Sequence, residues 1–361
     1  MPFLRDAFHR HAAYYEVLLR QADKLFLQGG EGVARGLQLF DLEWINIQTG
    51  QTQAENLATV NENDNQLCCD YPDAGVHLLH LRRHPDERIR WLKSALTAAS
   101  RLENSKYERI HLGSLGVAYS DLGEPRRALE CYEQLLSIVK DEGDESGEAQ
   151  ALGNFGSAYF QLNDFHKAID YYGLALAIFQ KLGDRHGESQ ALQGLGIAYG
   201  ALGDARRAIS LFEQNRGVAI EIGDREGEGA ALGNMGIAYR ILGEPRKAIE
   251  LYEQRLIIAR EIGDRRGEAN TLGNLGNANF SLGDFSHALI FHLHALEIDR
   301  AIGYQSGEAT DLWNLSLVFD KLGNRAQAII NAELALKIRL KLGDSRAEKV
   351  QSKLDNWKGN R

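Results

Sequence analysis

Apolar residues recur along this chain at the three- and four-residue intervals of an amphipathic helix. One stripe is Leu152, Phe155 and Tyr159, and another is Tyr172, Ala175, Leu176 and Phe179. An apolar–Gly motif, followed in most copies by an acidic residue, returns every twenty residues from Leu182-Gly183-Asp184 to Leu342-Gly343-Asp344. Tyr304 and Asn324 replace the acidic residue in two of the copies. Glycine after an apolar run typically ends a helix in the left-handed conformation, and the acidic residue after it caps the next helix. The pattern predicts helices of roughly 17 to 18 residues joined by minimal turns.

Segments forty residues apart match each other better than neighbouring segments do, so the repeating unit is a pair of antiparallel helices. The first helix, helix A, aligns at 111–119, 151–159, 191–199, 231–239, 271–279 and 311–319. The second, helix B, carries a recurrent alanine: Ala128, Ala168, Ala208, Ala248, Ala288 and Ala328. A small residue lies twelve positions earlier, at Gly116, Gly156, Gly196, Gly236, Gly276 and Ser316, where we expect the two helices to approach closely. We predict an all-α fold, an α-solenoid of tandem antiparallel helix hairpins.

The pattern divides the chain into four parts. Residues 1–63 are an irregular N-terminal helical region, with helices predicted over Ala7–Leu27 and Val33–Ile47 and a turn plus a short helix over 49–66. Residues 64–103 are a degenerate repeat, because Pro85 aligns with Pro125 at the forty-residue offset. Residues 104–343 are six forty-residue repeats. Residues 344–361 are a C-terminal capping helix with an apolar stripe of Ala347, Val350, Leu354 and Trp357.

Composition narrows the function classes. The net charge of −9 disfavours nucleic-acid binding, which usually requires a basic face. No apolar run is long enough to span a bilayer, and the first residues lack the apolar core of a signal peptide. The three cysteines include an adjacent pair and suggest no disulfide framework. We expect a cytoplasmic protein that binds no membrane.

The sequence lacks the common catalytic, phosphate-binding and zinc-binding motifs. It has no GxxxxGK[ST] phosphate loop, no GxSxG elbow and no HExxH zinc motif. A recurrent glutamate (Glu148, Glu188, Glu228, Glu268 and Glu308) falls in the first turn of helix A, where negative charge favours the helix dipole. His80 and His84 have i, i+4 spacing but no third ligand. We predict no enzymatic activity, no metal and no cofactor.

The small–large signature of Leu152, Gly156, Tyr159, Ala168, Tyr172 and Ala175 resembles that of the tetratricopeptide repeat (TPR) family. The common repeat has about 34 residues; here the unit has forty and lacks the proline near the end of helix B. This longer version resembles the repeats of Pins-type spindle-orientation adaptors and of the sensor arms of bacterial STAND signalling ATPases. The N-terminal segments HRHAAYYEVLL and FDLEWINIQ resemble the helical linker of those ATPases. The resemblance implies a right-handed superhelix in which helix A lines a concave groove.

Asparagine recurs in helix A at the phase that the resemblance places in the groove: Asn154, Asn234, Asn274 and Asn314, with Ser114 and Gly194 interrupting the series. The matching asparagines of Pins-type adaptors contact a bound segment, and an amide can donate to and accept from a peptide backbone at once. The alternative is that these amides tie one helix to the next. Further candidate groove residues are Gln193, Ile237, Arg240, Asn277 and Trp313.

These observations predict a protein–protein interaction module that binds a partner peptide or segment in the groove lined by helix A. The basic clamp of chaperone-binding relatives is missing. Groove arginines typical of adaptors that hold acidic peptides are missing too, apart from Arg240, which favours a mixed polar and apolar ligand. One alternative is the regulatory sensor arm of a STAND-type ATPase without its nucleotide-binding module. Another is a scaffold that assembles with itself.

Overall fold

The structure is a computed structural model that describes residues 2–58 and 61–359, and all regular structure in this part of the chain is α-helical. The chain divides into two compact units, Met1–Ile178 (unit 1) and Phe179–Arg361 (unit 2). The predicted all-α fold of tandem helix hairpins is confirmed.

Unit 1 contains α1 (Pro2–Leu27), α2 (Glu31–Leu57), α3 (Glu62–Ala74), α4 (Val76–Arg82), α5 (Pro85–Arg101), α6 (Ser105–Asp121), α7 (Pro125–Asp141), α8 (Glu145–Gln161) and most of α9 (Phe165–Leu182). Unit 2 contains the end of α9 and then α10 (Arg185–Leu202), α11 (Ala205–Ile222), α12 (Arg225–Ile241), α13 (Pro245–Glu261), α14 (Arg265–Leu282), α15 (Phe285–Ile302), α16 (Gln305–Lys321), α17 (Arg325–Lys341) and α18 (Ala347–Gly359). From α6 to α17, the even-numbered helices are A helices and the odd-numbered ones are B helices.

The twenty-residue motif forms the turns as predicted. Gly183 has a φ of 69°, and the backbone N–H of Asp184 donates to the Phe179 carbonyl oxygen at 2.9 Å, which is the Schellman ending of a helix. The Asp184 carboxylate then accepts from the N–H of Gly187 at 2.9 Å and caps α10. Every later motif glycine up to Gly343 also has a positive φ. In the turn between α8 and α9 that role falls to Asn163, with a φ of 59°.

The recurrent glycines of helix A lie under an aromatic or imidazole ring of helix B. A Cβ atom at Gly236 would lie 2.8 Å from Cζ of Tyr252, whose side chain is fully buried. The corresponding pairs are Gly116 with Tyr132, Gly156 with Tyr172, Gly196 with Phe212 and Gly276 with His292. The expected close approach is present, and the ring explains why only glycine fits.

Three first-turn glutamates of unit 2 are buried and pair with partly exposed arginines. Glu188 and Glu228 accept from the arginine three residues earlier, each at 2.5 Å, and Glu268 accepts from Nε of Arg260 at 2.8 Å. All three are less than a tenth exposed. A structural role therefore accounts for this recurrent acidic position.

The N-terminal helices are longer than predicted. Helix α2 continues to Leu57 because the polar stretch after Ile47 still buries Gly50, Gln51 and Ala54 on one face. The predicted turn can begin only after Leu57, and residues 59 and 60 lie outside the described residues.

The helix that precedes α5 is broken in two at Gly75. A Cβ atom there would lie 2.5 Å from Cδ1 of Leu19 in α1. The carboxylate of Asp23, also in α1, accepts from the N–H groups of His77 and Leu78 at 3.1 and 2.9 Å. Helix α4 is therefore capped and held by α1, which gives residues 64–103, the predicted degenerate repeat, a geometry that the regular repeats lack.

The last helix, α18, packs its apolar stripe on α17. Val350, Leu354 and Trp357 are buried and contact the buried Ala328 and Ala332. This packing covers the last hairpin of unit 2.

Candidate functional site

The A helices of unit 2 form its inner layer. Helix α10 contacts α12, α12 contacts α14, and α14 contacts α16. Among the described residues of unit 2, no comparable contact joins successive B helices. The layer with the closer spacing is the inner side of a curved stack. We call the solvent-facing side of these four helices the helix A face.

The recurrent asparagines of unit 2 lie on this face with free amides. Asn234, Asn274 and Asn314 occupy equivalent positions on α12, α14 and α16, and each is half-buried. None of their side chains makes a hydrogen bond to another described residue. The structure therefore shows no hydrogen bond from these amides to a neighbouring helix, and their role stays a prediction.

The other predicted residues have mixed surroundings. Gln193, Ile237 and Asn277 are half-buried on α10, α12 and α14. The amides of Gln193 and Asn277 also bond to no described residue. The ring of Trp313 packs at a centroid distance of 6.5 Å from that of Trp357 in α18, so part of this aromatic surface is already covered.

Arg240, at the end of α12, lies beside the buried hydroxyl of Tyr252. Burial raises the pKa of Tyr252 to about 12, and the positive charge and the hydrogen bonding of Arg240 oppose the shift. Nε of Arg240 is buried without a hydrogen-bond partner. In unit 1 the matching hydroxyl, on Tyr172, is 2.9 Å from Oγ of Ser157. Unit 2 has Ile237 in place of that serine, which leaves Tyr252 without it.

Arg255 is a groove candidate that the sequence analysis missed, because it belongs to helix B. Its guanidinium occupies the space that a Cβ atom at Gly233 would need, so it reaches the helix A layer over that glycine. Arg255 forms no ion pair with a described residue; Asp264 acts on it only electrostatically, and burial lowers its pKa. The equivalent residue of unit 1, Leu135, lines a cavity of that unit.

A sequence signal for Arg255 did exist. In the forty-residue register its equivalents are Leu135, Ala175, Asn215, Ala295 and Ala335. Arg255 is the only charged residue among the six equivalent positions, which marks a side chain with a separate role.

Asn154 belongs to unit 1. It is half-buried on α8 and its amide bonds to no described residue. Together with Ser114 and Gln150 it lines a cavity of about 740 Å³ in that unit.

Histidines and other possible metal ligands are scattered. His80 lies 3.5 Å from Asp121, whereas Nδ1 of His84 accepts from the N–H of Asp86. Within residues 2–58 and 61–359, no three His, Cys, Asp or Glu side chains are grouped as a metal site would require. No helix in the same residues is long and apolar enough to cross a membrane.

Tandem helix hairpins with an open inner face define the class of α-solenoid repeat proteins, which act as protein-interaction modules. Tetratricopeptide repeat profiles match residues 147–221, 203–261, 227–301 and 267–341, and a second profile of the same description matches 112–146. The chain therefore belongs to the tetratricopeptide repeat family. No protein with a curated description matches it.

Solved structures share the fold at low identity. A STAND protein with a tetratricopeptide repeat sensor from Pyrococcus horikoshii is 17% identical, with a TM-score of 0.63 over 95% of this chain and 54% of that chain. The apo form of RapI is 12% identical over 74% of this chain and 96% of that chain, with a TM-score of 0.60. Aspartyl phosphate phosphatase F from Bacillus subtilis is 13% identical over 95% and 94%, with a TM-score of 0.57. This chain spans about half of the STAND protein's length.

Proposed function

We propose that the helix A face of unit 2 binds an extended segment of a partner protein. The observation that carries this proposal is the row of unbonded amides at Asn234, Asn274 and Asn314. A half-buried amide that bonds to no protein group must be hydrated in the free state. A peptide backbone can replace that water with matching donors and acceptors.

Arg255 and Arg240 indicate a chemical preference for the bound segment. Arg255 has no anionic partner and is partly desolvated, and Arg240 has a buried Nε without an acceptor. A carboxylate of the bound segment can pair with a guanidinium in a bidentate geometry. We therefore propose a mixed polar and apolar segment with one carboxylate opposite Arg255, from either an acidic side chain or a C terminus.

A test starts from peptides selected on the isolated chain from a random linear library. Calorimetry then compares the wild type with the double variant Asn234→Ala/Asn274→Ala. Losing two or more hydrogen bonds of about 0.5–1.5 kcal/mol each should weaken binding roughly tenfold or more. The control is Asn331→Ala, because that amide lies exposed on helix B and donates to its own helix at Gln327. Equal affinity for all three proteins would refute the proposal.

A separate comparison tests the proposed carboxylate of the bound segment. Arg255→Gln should weaken binding of the selected peptide and should abolish the benefit of its carboxylate. Amidation of the C terminus and Glu→Gln exchange within the peptide distinguish the two sources of the carboxylate. A peptide that binds wild type and Arg255→Gln equally well would leave the amides as the only supported contacts.

A second candidate function is a sensor arm attached to a signalling ATPase. It is supported by the fold similarity to the STAND protein over 95% of this chain and by apolar side chains left uncovered on α1 and α2. Phe3, Leu42 and Ile45 are 88%, 75% and 76% exposed, which is typical of a docking surface. Light scattering on the isolated chain is the first test: a concentration-dependent oligomer would favour a self-assembling scaffold instead. A nucleotide-binding module in the same reading frame would favour the sensor arm.

A further inference from the structure

A cavity of about 740 Å³ lies within unit 1, and the broken repeat creates one of its walls. Helix α4 and the start of α5 supply an apolar side with Val76, Leu79 and Leu81. Helices α6 and α8 supply the opposite side. The volume is within the usual range of ligand pockets. Because Asp23 of α1 caps α4, the apolar wall is held in place by the N-terminal helices.

The apolar side chains of the cavity are open to solvent on both walls. Val76 and Leu81 are 47% and 56% exposed, and Ile110 and Val117 of α6 are 39% and 38% exposed. Their exposure is a free-energy cost that an apolar occupant would remove.

The polar side of the cavity has unused hydrogen-bonding groups. Ser114, Gln150 and Asn154 make no hydrogen bond to a described residue. A hydroxyl and two amides supply both donors and acceptors, which suits a peptide backbone.

Two charged groups of the cavity are already neutralised. Arg88 donates to Asp121 at 2.9 Å, and Arg109 pairs with Asp144 and, at 3.1 Å, with Glu142. These ion pairs leave no free positive charge from either arginine.

Asp73 is the acidic group of the cavity that remains without a cationic partner. Nδ1 of His111 lies 3.8 Å from its carboxylate, too far for a hydrogen bond. Burial lowers the pKa of His111 to about 4, so this imidazole is neutral at neutral pH. Arg20 also acts on Asp73 electrostatically, but its guanidinium donates to Glu16 at 3.0 Å. Burial raises the pKa of Asp73 to about 6, with a further contribution from Asp70.

We propose that this cavity is a second binding site, for a peptide segment in which a lysine or arginine is flanked by apolar side chains, with Asp73 accepting the cation. The flanking side chains contact the apolar wall of α4 and α5, and the segment's backbone bonds to Ser114, Gln150 and Asn154. The cavity is formed partly by the A helices α6 and α8 and includes Asn154, so this proposal extends the groove hypothesis to unit 1. It uses none of the residues proposed on the helix A face of unit 2.

The probe is a fluorescein-labelled, C-terminally amidated peptide of sequence Leu-Phe-Arg-Phe-Leu, with binding measured by fluorescence anisotropy. A matched probe carries citrulline, which keeps the size of arginine and removes its charge. We expect the arginine probe to bind at least roughly tenfold more tightly than the citrulline probe, the range of a charge-assisted hydrogen bond. No binding of the arginine probe, or equal affinity of the two probes, would overturn the proposal.

Variants locate the site. Asp73→Asn should remove the difference between the two probes, whereas Asp170→Asn, an exposed carboxylate on α9, should preserve it. Gly113→Leu should weaken both probes, because Gly113 lines the cavity and a Cβ atom there would meet only Cδ2 of Leu135, at 3.8 Å. A preserved difference in Asp73→Asn, or unchanged binding in Gly113→Leu, would place the probe elsewhere and refute the assignment.

A last comparison separates the two proposals. The variant Asn234→Ala/Asn274→Ala should bind the arginine probe like the wild type. If it loses the probe, the basic peptide binds to the helix A face of unit 2, and the unit 1 cavity is not its site.

Discussion

Leucine in place of Gly236 should destabilise unit 2 by about 2–5 kcal/mol. Its Cβ atom alone would lie 2.8 Å from Cδ1 and Cζ of Tyr252, whereas carbon atoms pack best at about 3.5–4.0 Å. The Tyr252 side chain is fully buried, so the ring cannot shift without losing contacts. Displacing a buried aromatic side chain costs about 1.5–3 kcal/mol, and overpacking adds about 1–3 kcal/mol. The better helix propensity of leucine returns less than about 1 kcal/mol.

Gly217→Leu is the matched control. Gly217 is an exposed helical residue of α11, and a Cβ atom there meets nothing within 4 Å. Only the propensity gain applies, so this variant should be slightly more stable than the wild type. Urea unfolding followed by circular dichroism measures both variants, and hydrogen exchange in α12 and α13 detects local opening, which is common in repeat arrays. A Gly236→Leu protein as stable as the wild type would show that the crossing is looser than the structure implies.

Three further outcomes test separate parts of unit 2. Asp264→Ala removes the cap of α14 and should cost about 1 kcal/mol; an unchanged urea midpoint would contradict the capping role. Asn234→Ala/Asn274→Ala should melt like the wild type, because neither amide bonds to another described residue, and a clear loss of stability would mean that the amides support the fold. Burial, followed by the charge of Asp311, raises the pKa of Asp299 to about 7. Its stabilising contribution is complete below pH 4 and is lost as the pH rises towards 7, so Asp299→Asn should gain stability over the wild type between pH 5 and 8. If the urea midpoints of Asp299→Asn and the wild type differ by the same amount at pH 5 and at pH 8, the raised pKa of Asp299 is contradicted.

The regular repeats were predictable because each is specified by local signals. Gly183 ends one helix and Asp184 caps the next, and both roles depend on residues within five positions. The forty-residue register then fixed which residues of helix A share a face. That register alone predicts that Asn234 and Asn274 share one face, and their role there is a proposal.

The irregular parts depend on contacts between residues distant in sequence. The break at Gly75 is stabilised by Leu19 and Asp23, more than fifty residues earlier, so no local pattern reveals it. The cavity of unit 1 follows from that break. Arg255 was missed for a related reason: its chain position assigns it to helix B, and only the packing over Gly233 brings its guanidinium to the helix A layer.

Recurrence at one phase of a repeat does not by itself separate a structural residue from a binding residue. The first-turn glutamates return every forty residues from Glu148 to Glu308, and the asparagines return at the same interval from Asn234 to Asn314. Glu188 is nearly buried and paired with Arg185, so folding accounts for it. Asn234 and Asn274 are half-buried and bond to no described residue, so no hydrogen bond of the fold assigns them a structural role. A polar group that is repeatedly kept in a partly desolvated position without a partner lowers stability slightly, and a bound peptide would supply the missing partner. Whether a recurrent residue already has a hydrogen-bond or ion-pair partner in the fold is therefore more informative than its recurrence. By this criterion the search for the partner protein begins at the helix A face.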